Sequence, residues 1–203
     1  MTVRIVIAED IDLVAEAFQA LLETESDFKV VGRVGRGDAV VGAVARTLPD
    51  LVLADVDMPG GSGIEATMLL REHGFQGKVV LLTALPGSGH LNAALDAGAN
   101  GYLLKSITGT RLKSAIRAVM AGRTAIDPDL AAEAIRTGRC PLTDRELRIL
   151  ELVGENRPTG LIAAELHLSV GTVRNYLSAA ISKLEVDSRF SAVTAARERG
   201  WLR

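Results

Sequence analysis

Four short apolar runs in the first half of the chain, Val3 to Ala8, Leu51 to Ala54, Val79 to Leu82 and Gly101 to Leu104, each lead into a polar residue. Helix-period segments lie between and beyond them, at Ile11 to Glu25, Asp38 to Leu48, Gly63 to His73, Leu91 to Ala97 and Thr108 to Ala121. Five helical segments with strand-length runs recurring between them predict five βα units in an α/β doubly wound parallel sheet. In an open sheet of this kind ligands bind beyond the carboxyl ends of the strands. Those ends carry Glu9 and Asp10, then Asp55, then Thr83 and Lys105.

With the strand order 2-1-3-4-5 of flavodoxin-like sheets, strands one and three are neighbours where the order reverses, and Glu9, Asp10 and Asp55 come to one mouth. A single aspartate after a strand is more often a loop residue or a helix cap. Three converging carboxylates are different, because they repel unless a cation or the counterion of a phosphoryl group lies between them. The set points to Mg²⁺-assisted phosphoryl chemistry. A carboxylate is a weak nucleophile toward phosphorus, so a metal must neutralise the phosphoryl oxygens while Lys105 adds a mobile charge. Thr83 can hydrogen-bond the new group. Tyr102 is either an aromatic that responds to the site or a packed ring with its hydroxyl at the rim. Pro86-Gly87-Ser88-Gly89 reads as a mobile loop, since its glycines lose more backbone entropy when fixed.

A chain of 203 residues, 48% hydrophobic, suits two modest domains with real cores. The formal net charge of -2 divides into -3 over the first 120 residues and +1 over the last 63, too slight a shift to predict nucleic-acid binding by itself. The single cysteine, Cys140, excludes an intrachain disulfide framework and a cysteine-rich metal site. No signal peptide and no spanning apolar stretch is evident, so the expectation is a cytoplasmic protein without a membrane partner.

Residues 122–141 read as a linker with a helix inside it. Gly122-Arg123 closes the preceding helix, Asp127-Pro128 opens a stretch to about Thr137, and Gly138 to Pro141 breaks it. Residues 142–203 are expected to be all-α. Thr143 with Glu146 three residues on is a capping box that starts a helix to about Gly154. A short helix follows from about Thr159 to Leu166, a turn at His167-Leu168-Ser169, a longer helix from Val170 to Leu184, and a last one from Ser188 to Arg199. Two helices joined by a tight turn, the second longer and polar on one face, describe a helix-turn-helix. By periodicity alone a four-helix interaction domain is the simpler reading. The detailed sequence reverses that preference by family resemblance, for which Arg174, able to fork to guanine, and Asn175, able to bond adenine in the major groove, give a physical reason.

Ala8-Glu9-Asp10, Leu53 to Pro59 running into Gly61-Ser62-Gly63, Leu82-Thr83-Ala84 and Ala97 to Lys105 resemble the receiver domain of two-component response regulators over residues 1–121. Leu142-Thr143-x-Arg145-Glu146, Ile162-Ala163-x-x-Leu166, Ser169 to Tyr176 and Lys183-Leu184-x-Val186-x-Ser188-Arg189 resemble the DNA-binding domain of the NarL/FixJ (LuxR-type) regulators. The resemblance implies that Asp55 is the phospho-acceptor, and that Glu9, Asp10, Asp55 and the backbone carbonyl of Asp57 hold Mg²⁺. It implies that Thr83 and Lys105 contact the phosphoryl oxygens, and that Thr83 and Tyr102 form a switch. Arg174, Asn175 and Ser178 would read bases, with Thr159, Thr172 and Lys183 near phosphates. The protein implied is a transcription regulator and not an enzyme. By the same resemblance a sensor histidine kinase would phosphorylate it, and it would bind double-stranded DNA as a homodimer when phosphorylated, with RNA polymerase a candidate further partner. Dimer surfaces in the family correspond to Asp12 to Glu23 with Arg111 to Val119, and to the last helix. Within the family, Gly171 to Trp201 looks most like the branch controlling membrane-lipid desaturation, so membrane-lipid or envelope-stress genes are the implied targets.

Four positions depart from the family pattern. Ser106 replaces a common proline, Asp57 stands where Arg or Asn is frequent, Ser178 offers a hydroxyl where some relatives carry charge, and Leu161 replaces a commonly acidic residue, which suggests burial or a changed helix contact. Two other readings stay open. Asp55-Val56-Asp57 also begins the haloacid-dehalogenase phosphohydrolase pattern, against which Met58-Pro59 argues. A constitutive DNA-binding or scaffold protein with a vestigial acidic site is the other.

Overall fold

The structure is a computed structural model that describes residues 2–84, 90–137, 140–166, 168–199 and 201–202. Pro86 to Gly89, His167 and Gly138 therefore lie outside the described residues. Two compact units are present, the first built from Met1–Pro86 and Leu91–Ala131, the second mainly from Ala132–Arg203.

The first unit alternates strands and helices: β1 (Val3–Ala8), α1 (Asp12–Leu22), β2 (Phe28–Val34), α2 (Val40–Thr47), β3 (Leu51–Asp55), α3 (Gly63–Glu72), β4 (Lys78–Thr83), α4 (His90–Asp96), β5 (Gly101–Leu104), α5 (Gly109–Met120) and β6 (Ala125–Ile126), followed by α6 (Pro128–Thr137). All pairs are parallel in the order β2-β1-β3-β4-β5-β6. The sixth strand corrects the expected five. Ala125 and Ile126 pair with Gly101 and Tyr102 inside the segment read as linker, and two residues are too few for any periodicity to reveal. A 3-10 turn at Gly37–Ala39 occupies the expected start of α2, which begins at Val40.

Both faces of the sheet are covered, which is why its central strands read as unbroken apolar runs. Ile5, Ile7, Leu53, Val80, Leu82 and Leu103 face one layer with Ala15 and Leu22 of α1 and Leu112 and Ile116 of α5. Successive side chains alternate across a strand, so Val6, Val52, Leu81 and Tyr102 point to the other layer, where they too are buried. Tyr102 is fully buried, a packed ring within the sheet's second layer. Local caps fix where the helices begin. Ser62 accepts from the Glu65 N–H at 3.1 Å while Glu65 accepts from the Ser62 N–H at 2.8 Å, and Thr108 caps α5. Every peptide bond among the described residues is trans, including that between Lys105 and Ser106.

The second unit holds α7 (Asp144–Gly154), α8 (Thr159–Glu165), α9 (Val170–Leu184) and α10 (Arg189–Glu198). Ile149, Leu152, Ile162, Val173, Leu177 and Trp201 are central to its core. The Thr143 and Glu146 capping box is formed at the start of α7, and Ser169 caps α9 through the Thr172 N–H at 3.0 Å. Leu161 is 60% exposed, which overturns the suggestion that it is buried. Its neighbours Ile162 and Ala163 take the inward positions of this short helix, leaving Leu161 on the outer side. No helix among the described residues is long and apolar enough to cross a membrane.

Candidate phosphoryl site and DNA-reading face

Strand register brings the acidic residues together. Ala8 pairs with Ala54, Asp55 with Leu82, and Thr83 with Leu104, so the ends of β1, β3, β4 and β5 form one rim. The Lys105 N–H donates to the Thr83 carbonyl at 2.7 Å, which closes its far side. Glu9 and Asp55 are almost fully buried there, Thr83 is buried beside them, and Asp10 is exposed at the edge. The Lys105 ammonium lies 2.9 Å from Asp55 Oδ2 and donates to Glu9 Oε1 at 3.0 Å. It is also 2.8 Å from Glu9 Oε2, close enough to pair electrostatically, yet that buried oxygen receives no hydrogen bond.

One carboxylate oxygen from each of Glu9, Asp10 and Asp55 lies within 4.8 Å of the others. A hard, oxygen-preferring cation such as Mg²⁺ suits that donor set, and the buried Glu9 oxygen without a donor is the kind of atom such a cation would satisfy. Burial pushes the carboxyl of Glu9 above its ordinary value, although Lys105 pulls the other way. Burial does the same to Asp55, opposed by Lys105 and by the Asp57 N–H, which bonds the Asp55 carboxylate. For Lys105 burial pulls downward, but the two carboxylates outweigh it and the ammonium is stabilised. One cation serves two buried acids, and the site is short of positive charge.

The site also contains a residue to which the sequence reading assigned no role. A Cβ at Gly63 would collide with the Asp55 carbonyl oxygen, so only glycine lets α3 start this close to β3. The glycine in the quoted motif was the available signal. Asp57 sits exposed on the loop after β3.

In the second unit, Arg174, Asn175 and Ser178 are exposed on one side of α9, while Val173, Leu177, Ala180 and Leu184 form its buried stripe. Thr172 is half-buried, its hydroxyl 2.8 Å from that of Ser169, and Thr159 is half-buried at the first position of α8. Lys183, implied to lie near phosphates, makes an ion pair inside the unit. Its ammonium donates to both oxygens of the buried Glu146, at 2.9 and 2.7 Å. Burial raises the Glu146 carboxyl, but Lys183 and Thr143 outweigh it and hold the group below the ordinary carboxylate range. The charge of Lys183 is thus engaged inside the unit, joining the end of α9 to the capping box of α7. Arg148 on α7 reaches Glu165 on α8 at 3.1 Å and Glu151 on its own helix at 3.1 Å, and Arg157, between the two helices, reaches Glu165 at 2.7 Å.

A doubly wound sheet with a buried acid and lysine mouth, followed by a helix-turn-helix, defines a receiver coupled to a DNA-binding unit. Residues 5–117 match the response regulator receiver domain family, and residues 140–196 match the bacterial regulatory proteins of the luxR family. The chain belongs to the LuxR-family response regulators, the DNA-binding regulators of two-component systems. It is 40% identical over 201 residues to the transcriptional regulatory protein DesR of Bacillus subtilis, covering 99% of this chain and all of DesR. Among solved structures, the response regulator ChrA of a heme-sensing two-component system is 31% identical, with 99% of each chain covered and a TM-score of 0.57. Two RcsB dimers bound to two parallel DNAs share the fold at 23% identity, with 97% of this chain and 98% of RcsB covered and a TM-score of 0.66.

Proposed function

We propose that a partner histidine kinase phosphorylates Asp55 in a Mg²⁺-dependent step, and that phosphorylation favours a homodimer that binds two DNA half-sites and controls transcription. The observation that carries this reading is the Lys105 ammonium shared by two buried carboxylates, with a third within reach. In the transfer, an Asp55 oxygen forms a bond to phosphorus as the bond from phosphorus to the donor's histidine nitrogen breaks, and that nitrogen keeps the electron pair. Glu9, Asp10, Asp55 and the Asp57 carbonyl would hold Mg²⁺, which when bound neutralises the charge on the phosphoryl oxygens. Lys105 donates to those oxygens from the opposite wall, and the Thr83 hydroxyl bonds one of them. Thr83 and the buried Tyr102 carry the change toward α4 and α5.

On DNA, Arg174 and Asn175 read bases with Ser178 beside them, while Thr159 and Thr172 contact phosphates. One such helix reads too few base pairs to define a genomic site, which is why two copies are needed. The faces of α1 and α5, and α10 in the second unit, are the proposed dimer surfaces, with RNA polymerase a further partner. Membrane-lipid or envelope-stress genes are the proposed targets and the cytoplasm the proposed location. The working limits are 1–121 for the receiver and 142–203 for the DNA-binding domain, although β6 and the first turn of α6 pack with the receiver. Incubation with phosphoramidate and Mg²⁺ followed by peptide mass spectrometry tests the acceptor. One phosphoryl group on Asp55, absent in Asp55→Ala and in EDTA, is expected; labelling that survives either change overturns the proposal.

A further inference from the structure

The loop after the acceptor strand, Asp57 to Ser62, contributes a backbone carbonyl to the proposed metal site, so its position matters as much as the carboxylates do. Its base is closed from within, by the Gly63 N–H donating to the Val56 carbonyl at 2.9 Å. Two contacts from another segment hold its outer side. The Gly37 N–H donates to the Pro59 carbonyl at 3.1 Å, and Gly37 lies so close to Gly61 that a Cβ there would collide with the Gly61 carbonyl oxygen. Next to it, Arg36 and Asp38 form a two-point ion pair, with Nε to Oδ1 at 3.0 Å and Nη2 to Oδ2 at 2.6 Å. That pair rests on Gly60, where an added Cβ would meet both Arg36 Nη2 and Asp38 Oδ2 at 2.6 Å. Gly60 and Gly61, at φ +77° and +130°, occupy backbone conformations of low cost only for glycine, so the loop has little stiffness of its own. At its other end the same strap passes the metal-binding pair: a Cβ at Gly35 would lie 3.7 Å from the Asp10 Cα and from the Glu9 carbonyl oxygen.

The segment Gly35 to Asp38 therefore runs beside both walls of the acidic mouth, past the one carrying Glu9 and Asp10 and against the one carrying the loop after Asp55. An ion pair this exposed, with 57% of the Arg36 side chain and 52% of the Asp38 side chain accessible, contributes little to stability. A two-point fork does, however, fix geometry, because both hydrogen bonds must be kept for either partner to stay in place. We propose that Arg36 and Asp38 are positioning residues for the metal site: their ion pair clamps Gly60 and Gly61 and so sets where the Asp57 carbonyl stands relative to Glu9, Asp10 and Asp55. This rests on the reading of those groups as Mg²⁺ ligands. Groups that orient ligands without touching the ion commonly alter affinity by about 10- to 100-fold, and the clamp, acting through backbone, belongs at the low end.

Binding of Mn²⁺, used as a paramagnetic stand-in for Mg²⁺, to the full chain tests the proposal by electron paramagnetic resonance without any phosphoryl donor. Arg36→Ala and Asp38→Ala are each expected to weaken binding about tenfold, with an unchanged melting temperature. The double substitution should be no weaker than either alone, and the exchange Arg36→Asp with Asp38→Arg should recover most of the affinity. Equal Mn²⁺ affinity in wild type and Arg36→Ala overturns the clamp while leaving the metal site standing. A wild-type chain that binds no Mn²⁺, or binds it equally after Asp55→Ala, overturns the metal site and the clamp together.

Discussion

Replacing Lys183 by methionine keeps the aliphatic stem and removes only the ammonium that bonds Glu146. The Glu146 carboxylate is 4% exposed, and it would be left with Thr143 of the capping box, whose N–H donates to it at 2.7 Å. Hydrogen bonds to charged groups contribute about 1.5–3 kcal/mol when buried. Here the Lys183 side chain is 37% exposed, so water reaches the pair from one side and a cost of about 1–2 kcal/mol is the screened figure. For a unit of this size that corresponds to a melting temperature lower by roughly 5–15 °C. Trp201 is the chain's one tryptophan and sits in this unit's core, so its fluorescence follows the unfolding of this unit specifically. Glu146→Gln should be destabilising alone but should cost less when combined with Lys183→Met, because the two changes remove the same interaction. Below the melting range, the variant's DNA affinity should keep the wild-type salt dependence. A variant that melts like wild type while its log–log salt slope falls by about one unit would refute the reasoning and return Lys183 to a phosphate contact.

Acid should weaken the same unit, since Glu146 has a folded pKa below its ordinary 4.5: its stabilising contribution is complete above that value and is lost as pH falls through the lower folded one. Trp201 melts taken from neutral pH downward should fall more steeply for wild type than for Glu146→Gln, and parallel curves would contradict the assignment. Arg174→Ala should cost about 1–3 kcal/mol per half-site and relax preference at one base position, as titrations on an operator and a scrambled duplex would measure. An equal loss on both duplexes would make Arg174 a backbone contact. Gly63→Ala should force the Asp55 carbonyl and α3 apart at about 1–3 kcal/mol of overpacking, read as a lower receiver melting temperature by calorimetry together with slower phosphoramidate labelling. Labelling at the wild-type rate would show that the close approach does not position Asp55.

What was legible in the chain divides along the range of the interactions involved. The bounds of α9, Val170–Leu184, and the start of α7 follow from signals within a few residues, the Ser169 cap and the Thr143 and Glu146 box. The acidic mouth was legible because each of its residues ends an apolar run, and the topology of a doubly wound sheet does the rest. The sixth strand was not, because two residues carry no period and its pairing with β5 is decided by the edge that β5 offers. Lys183 and Glu146 each belong to a local motif that already accounts for them, and nothing in a separation of 37 residues marks them as partners. Arg36 reads as an ordinary loop residue and Asp38 as the start of a helix until Gly60 is seen beneath them.

The central claim is that phosphorylation of Asp55 controls affinity for DNA, and operator titrations of wild type and Asp55→Ala, each with and without phosphoramidate and Mg²⁺, test it most directly. The account predicts tighter binding only for wild type given both the donor and the metal, with Asp55→Ala fixed at the unphosphorylated affinity throughout. An equal response of Asp55→Ala to the donor, or a wild-type affinity indifferent to full phosphorylation, would contradict it.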